Sequence, residues 1–338
     1  MMKPDPATVV ALQNLIVGKW LSQALSVAAK LGIADLLGEG PRVCDDLAQQ
    51  SGADPSSLYR VLRALAGVGV FKEVESRRFE LTPMAGLLRS GVPGSLRAVA
   101  IMAGEDWTWR PWGKLEHSVR TGERGFDAVF GMPPFEYLPA NPEAAAVFDA
   151  AMTGWSMHNA AAVAQAYDFS GIGTLMDVGG GHGFLLATIL KANPSLRGVL
   201  FEMPTVCEGA RSLLAAEGLS DRTRVAAGSF FEPIGERADA CILKSVIHDW
   251  DDAQSTTILR HCREAVGPRG RVLLAEMVIP PGNGPDFGKL LDLEMLVVAG
   301  GRERTEAEYR GLLAGAGLRM TRVVRTASPS CVIESVVA

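Results

Sequence analysis

The densest chemical signal in the chain is Asp177-Val178-Gly179-Gly180-Gly181-His182-Gly183, which directly follows the apolar run Thr174–Val178 and precedes a helical stretch. Four glycines let the backbone turn sharply and approach a ligand with no Cβ in the way. The spacing is G-x-G-x-G, unlike the G-x-G-x-x-G of dinucleotide folds, and no Lys-Ser/Thr ending makes it a phosphate-gripping loop. Alone, the run could be a tight strand–helix turn with no ligand. One βαβ step further on, a second apolar run ends in Phe201-Glu202-Met203-Pro204. A carboxylate there commonly accepts the two ribose hydroxyls of a nucleoside, and a surface acid capping the next helix is the plainer alternative. With the glycine loop in place, a bound nucleoside explains both better. The third chemical element is His248, a few residues past a fourth apolar run. That places it at the carboxyl edge of a sheet, where ligands bind in open α/β folds. His117, His158 and His261 have no such placement, and His182 reads as packing within the glycine loop.

The elements that must position these groups alternate from about Thr174 onward. Short apolar runs at Thr174–Val178, Gly198–Glu202, Thr223–Ala227, Ala238–Lys244 and Gly270–Glu276 are separated by amphipathic helices. This argues for parallel βαβ units in an open sheet with helices on both faces. Two further runs, about Met320–Thr326 and Cys331–Val337, are so close in sequence that they must be antiparallel, which makes seven strands. The first third reads as helical. Leu12, Leu15, Ile16 and Trp20 recur at helical spacing and Leu25–Leu37 stays apolar-rich, so the first helices are expected to be buried, with another subunit as one candidate cover for the N-terminal one. Two shorter helices follow, Val43–Gln50 and Pro55–Ala66, the second with Asp54 as N-cap and Pro55 at its first position. Val70–Leu81 then alternates like a hairpin around Glu75–Arg78, completing a winged-helix pattern. Gly91–Tyr137, rich in Gly, Pro and aromatics, reads as a helical connector leading to a substrate pocket, and a helix covers Pro142–Ala166.

Composition bounds the reading. The chain has 338 residues, enough for about two domains, with 48% hydrophobic residues and a net charge of −5. No basic field is available to collect nucleic acid or anionic lipid. Met1–Val10, with Lys3 and Asp5, leads into no long apolar stretch, so no signal peptide is expected, and no apolar run is long enough for a membrane span. Five scattered cysteines without a CxxC pair fit a reducing cytoplasm and offer no metal-site spacing.

Together the glycine loop, Glu202, Gly228-Ser229-Phe230-Phe231, Lys244-Ser245-Val246-Ile247-His248-Asp249-Trp250, Ala275-Glu276 and Gly300-Gly301-Arg302-Glu303-Arg304-Thr305 stand in an order that resembles one family. That family is the S-adenosylmethionine-dependent small-molecule O-methyltransferases: plant caffeate and flavonoid enzymes, hydroxyindole enzymes and bacterial polyketide and phenazine tailoring enzymes. The resemblance covers nearly the whole chain. It implies a doubly wound, Rossmann-like α/β catalytic domain over 166–338, preceded by a winged-helix dimerisation domain over 1–100 and a helical connector over 101–165. It implies that Asp177, Gly179 and Gly181 border the amino-acid end of S-adenosylmethionine, that Glu202 holds the ribose, that Gly228, Ser229 and Phe230 border the adenine, and that Lys244 lies near the sulfonium. Many relatives have Asp in place of Glu202, and the plant enzymes have Asp in place of Ser229; both replacements keep a hydrogen-bonding group. The resemblance further implies His248 as general base flanked by Glu276 and Glu303, no metal, a homodimer formed by intertwined N-terminal helices, and an acceptor pocket around Phe135, Met152, Trp155, Asp292 and Met295. Glu303 read alone could be a residue ahead of a helix starting near Thr305, Asp249 reads as a turn cap, and each pocket residue could be ordinary core.

The chemistry asks for such a base. Methyl transfer from a sulfonium is an in-line displacement with a good leaving group, so the protein must align the acceptor and take its proton. A phenol titrates near 10, and a histidine of pKa about 6.5 can remove its proton as the bond forms, which contributes about 10²–10⁴ in rate. Three competitors remain. A winged helix suggests DNA binding, but Gly38–Ser90 carries seven acidic and seven basic residues, whereas nucleic-acid affinity needs clustered cations. A methyltransferase-like protein could have turned to hydroxylation or decarboxylation. An amine could replace the hydroxyl as acceptor.

Overall fold

The computed structural model describes residues 5–338; Met1–Pro4, with the Lys3 of the leader expectation, lie outside the described residues. The chain forms two compact units, one of residues up to Arg110 with Leu138–Trp155, the other of Pro111–Tyr137 with Ser156–Ala338.

In the first unit, helix Pro6–Ile16 starts at Asp5, whose side chain accepts from the Thr8 N–H. The expected burial of this helix is not met within the chain: none of its residues is buried, and Leu15, Ile16 and nearby Trp20 are 80%, 67% and 66% exposed. An apolar helix face with no cover is unusual for a monomer. Helix Pro55–Gly67 has the Asp54 cap read from the sequence, the carboxylate accepting from the Ser57 N–H at 2.8 Å. Leu58, Leu62 and Leu65 recur on its inner face and pack with Ile33, Leu47, Phe71 and Phe79. Strands β1 (Arg42–Val43), β2 (Phe71–Glu75) and β3 (Arg78–Leu81) form a small antiparallel sheet in the order β1-β3-β2, the wing of the winged helix.

The second unit contains β4 (Thr174–Val178), β5 (Arg197–Glu202), β6 (Thr223–Ala227), β7 (Ala240–Lys244), β8 (Arg271–Ile279), β9 (Arg304–Thr305), β10 (Leu318–Arg325) and β11 (Ser330–Val337). Seven of these run in the order β10-β11-β8-β7-β4-β5-β6, with the two-residue β9 paired to β8. β4 to β8 are parallel, and β11 is antiparallel to both β8 and β10. Side chains alternate across the sheet. Met176, Cys241, Val272 and Leu274 face a core closed by helices Asp252–Val266 and Glu306–Gly315. Leu175, Ile242, Leu273 and Val332 face the opposite core, with helices Phe184–Ala192 and Cys207–Ala216. Both faces are covered, so these strands read as continuous apolar runs. β8 runs three residues beyond Glu276, because β11 and β9 continue to pair with Met277 and Val278. All five cysteines are buried and unpaired, and no helix of the described residues is long and apolar enough to cross a membrane.

Candidate active site

The parallel strands all deliver their carboxyl ends to one edge, and the sequence candidates gather there. β4 feeds the glycine loop, where Gly179 has φ +69° and Gly181 φ +57°, backbone that favours glycine. A Cβ on Gly179 would stand 3.0 Å from Val246 and 3.4 Å from Phe230, so the loop passes tightly between the ends of β6 and β7. β5 ends in Glu202, whose backbone carbonyl accepts from the Gly228 N–H at 2.9 Å. Burial raises the Glu202 carboxyl to about 7. Ser229 is exposed, and Phe230 is partly buried with its carbonyl accepting from His261 Nδ1 at 3.0 Å. His261 therefore anchors that loop, a task its sequence context did not show. Asp177 is fully buried beneath the loop, both carboxylate oxygens lack a hydrogen-bond partner among the described residues, and desolvation pushes its pKa to about 7 against the pull of Lys244. Burial lowers the pKa of Lys244, with Asp177 and Glu276 opposing.

Beyond β7, Ser245 takes φ +52° and starts a tight turn over Ile247–Asp249 that carries His248. A serine in the left-handed region holds roughly 1 kcal/mol or more of backbone strain, which the surrounding turn must overcome. His248 is 9% exposed. Its Nδ1 is 2.7 Å from Glu303 Oε1 and 3.9 Å from Glu276 Oε2, and its Nε2 is 3.5 Å from Asp249 Oδ1. Burial opposes the charged ring, but Asp249, Glu276 and Glu303 outweigh it and raise His248 to about 10. Burial also lifts Glu276 to about 7, and its Oε1 accepts from the Val246 and Ile247 N–H groups at 3.0 and 2.9 Å. The expectation that Asp249 caps the turn is not met; the following helix is capped by Asp251, and Asp249 faces the ring. Glu303 is likewise no cap. Thr305 and Glu308 form the capping box of helix Glu306–Gly315, and Glu303 turns inward, 2% exposed.

The pocket candidates divide between the two units. Phe135 stacks on Trp250 at 5.7 Å, Asp292 Oδ1 accepts from the Glu303 N–H at 2.8 Å, and Met295 is buried at the start of a π-helical turn, Met295–Ala299. Met152 and Trp155 belong to the other unit. Sequence spacing offers no metal cluster, yet the fold gathers ligand atoms of His248, Glu276 and Glu303 within 4.8 Å of one another. His182 packs on Gly209, His117 Nε2 stands 3.5 Å from Glu123, and the His158 side chain lies outside the described residues. Gly301, quoted above only as part of a motif, is decisive here: a Cβ on it would lie 1.9 Å from the His248 carbonyl oxygen, so only glycine lets the Glu303 loop approach the turn.

A profile of the O-methyltransferase domain matches residues 112–319, and one of the O-methyltransferase dimerisation domain matches residues 13–91. The chain belongs to the S-adenosylmethionine-dependent O-methyltransferases. This O-methyltransferase is 45% identical over 330 residues to a phenazine O-methyltransferase of Lysobacter antibioticus, covering 98% of this chain and 96% of that one. The crystal structure of LaPhzM superposes with a TM-score of 0.93 at 44% identity, covering 99% of this chain and all of the other. NcsB1, an O-methyltransferase from neocarzinostatin biosynthesis solved with S-adenosylmethionine and 2-hydroxy-5-methyl naphthoic acid, matches with a TM-score of 0.80 at 34% identity, over 94% and 96% of the two chains. The enzyme is thus of the bacterial tailoring type. Its residues fit the cofactor on grounds of their own: a loop with three consecutive glycines at the strand edge, and a buried Asp177 carboxylate left without a hydrogen-bonding partner among the described residues beneath it.

Proposed function

We propose that this O-methyltransferase methylates a hydroxyl of a planar aromatic acceptor, with His248 as general base. The observation that carries the reading is the 2.7 Å contact from Glu303 to His248 Nδ1. A carboxylate there keeps the proton on Nδ1 and leaves the lone pair on Nε2 for the acceptor. Asp177, Gly179, Gly181, Glu202, Gly228, Ser229, Phe230 and Lys244 would hold the cofactor at the strand edge. When bound, S-adenosylmethionine supplies an electrophilic methyl group and a sulfonium charge.

The pKa of His248 explains how the base is tuned. An imidazole at 6.5 would take a phenolic proton uphill by about 5 kcal/mol; a ring raised to about 10 matches the phenol but is itself protonated at neutral pH, so it must lose that proton before it can act as base. In the free enzyme at neutral pH the ring is charged. Asp249, Glu276 and Glu303 hold that proton on His248, and the ring would release it if positive charge bound near these carboxylates. Glu276 braces the turn through two backbone N–H groups, and Asp249 faces the ring nitrogen that works on the acceptor.

Within the second unit, Phe135, Asp292 and Met295 would line the acceptor pocket. Two relatives support this acceptor class: one is named for a phenazine, another was solved with a naphthoic acid, and both are flat fused rings. The uncovered apolar face of the first helix supports a homodimer through the N-terminal domain. The test is incubation with S-adenosylmethionine and a panel of phenazines, naphthoates, anthraquinones, catechols and the matching amines. Formation of S-adenosylhomocysteine with a methylated hydroxyl supports the reading; methylation confined to the amines refutes it.

A further inference from the structure

Arg304 is the largest fully buried side chain of the described residues, with 0% exposure, and the reaction as outlined gives it no task. Its guanidinium lies against the turn that carries His248. Nη1 donates to the Ile247 carbonyl at 3.1 Å and to the Arg302 carbonyl at 3.3 Å, and Nη2 donates to the Trp250 carbonyl at 3.0 Å. Nε and Nη2 also reach Asp252 Oδ1 at 3.1 and 2.8 Å. The buried Ser255 hydroxyl, 3.4 Å from Nη2, lies 3.3 Å from both the Ile247 and the Trp250 carbonyls.

We infer that Arg304 is a positioning residue for His248, gripping the carbonyls on either side of it and tying them to the start of helix Asp252–Val266. The argument is one of backbone accounting. The turn satisfies only part of its own polar groups, with Asp249 N–H donating to the Val246 carbonyl at 3.2 Å and Trp250 N–H reaching the Ile247 carbonyl at 3.4 Å, and the buried remainder must find partners. Here the N–H groups of Val246 and Ile247 go to Glu276, and the His248 carbonyl goes to the Arg302 N–H at 2.8 Å. The carbonyls of Ile247 and Trp250 go to Arg304 and Ser255. Successive residues of an extended segment point opposite ways. Glu303 therefore reaches the imidazole while its neighbour Arg304 clasps the backbone beneath it, and one short segment fixes ring and turn together. A planar fork with five donors can span two carbonyls and a carboxylate at once; a lysine ammonium cannot.

This rests on His248 as the base, so the experiment reads the ring directly as well as turnover. The variants are Arg304→Lys and, as the gentler removal of one clasp, Ser255→Ala. The measurements are thermal unfolding, S-adenosylmethionine affinity, kcat, and the proton resonance of His248 Nδ1–H, assigned by its loss in His248→Ala. In a folded Arg304→Lys protein we expect a broadened or shifted resonance and kcat reduced roughly tenfold or more, with cofactor affinity within a few-fold of wild type. Ser255→Ala should move both readouts in the same direction by less, and carries the test if Arg304→Lys does not fold. An unchanged resonance with unchanged kcat overturns the inference. So does a uniform loss of stability, affinity and kcat with the resonance intact in the folded fraction. Full turnover in His248→Ala would instead remove the base, and the resonance would still decide whether Arg304 positions the ring.

Discussion

Replacing Glu303 with glutamine removes a negative charge 2.7 Å from His248 Nδ1 while keeping an oxygen that can accept the ring proton. At an effective dielectric of about 20, attraction between unit charges over that distance is roughly 6 kcal/mol, an upper limit because the two groups also lose hydration. Asp249 and Glu276 stay in place, so a fall of about 1–3 pKa units is expected. His248 should then titrate at roughly 7–9 instead of about 10. The sign extends to stability. The folded-state pKa of His248 lies above its unfolded value, so the stability it contributes is complete below about 6.5 and is lost as pH rises towards 10. In Glu303→Gln that loss should finish at lower pH and be smaller in total. The assay is an NMR titration of the His248 ring in free enzyme, alongside denaturant unfolding at several pH values. An unchanged midpoint in Glu303→Gln would refute the claim that this carboxylate, with Asp249 and Glu276, holds the His248 pKa up.

Other consequences are open to direct measurement. Cofactor binding near neutral pH should release a proton, measurable by calorimetry in buffers of different ionisation enthalpy; S-adenosylhomocysteine, which lacks the sulfonium charge, should release less, and equal release would contradict competition at His248. Glu202→Ala should weaken cofactor binding by roughly 10–100-fold, the worth of hydrogen bonds to a charged group, with little change in acceptor KM. Gly301→Ala should lower kcat and stability together, because its Cβ meets the His248 carbonyl at 1.9 Å, and overpacking of that kind typically costs about 1–3 kcal/mol. Chelation with EDTA should leave kcat unchanged; a loss restored by one added divalent ion would reassign His248, Glu276 and Glu303 as ligands.

The sheet was legible because its parallel strands are short apolar runs separated by helices, and Thr174–Val178 and Thr223–Ala227 fall where the pattern put them. The far end of β8 was not, since its extension depends on pairing with β9 and β11, which local pattern cannot show. His248 could be picked out by its place after a strand. The approach of Glu276 and Glu303 to it came from family resemblance, because residues so far apart meet only through the sheet. Asp249 reads as a cap, and a cap is the plainer alternative for Glu303, because acids near helix starts often are; Asp251 and Thr305 hold those posts instead. Gly301 and Arg304 stand in a motif that carries the resemblance, but nothing local gave either a task, since their partner is a turn that precedes them by some fifty residues in the sequence. The first helix reads as buried from its side chains, and a single chain leaves it exposed.

The most direct test of the account is single-turnover methylation of one accepted phenol by wild type and His248→Ala, both saturated with S-adenosylmethionine, across pH 6–10. The account predicts that the variant binds cofactor within a few-fold of wild type and methylates about 10²–10⁴ times more slowly near neutral pH, with the deficit shrinking as the phenol ionises in solution. Equal rates for the two proteins at neutral pH would contradict it.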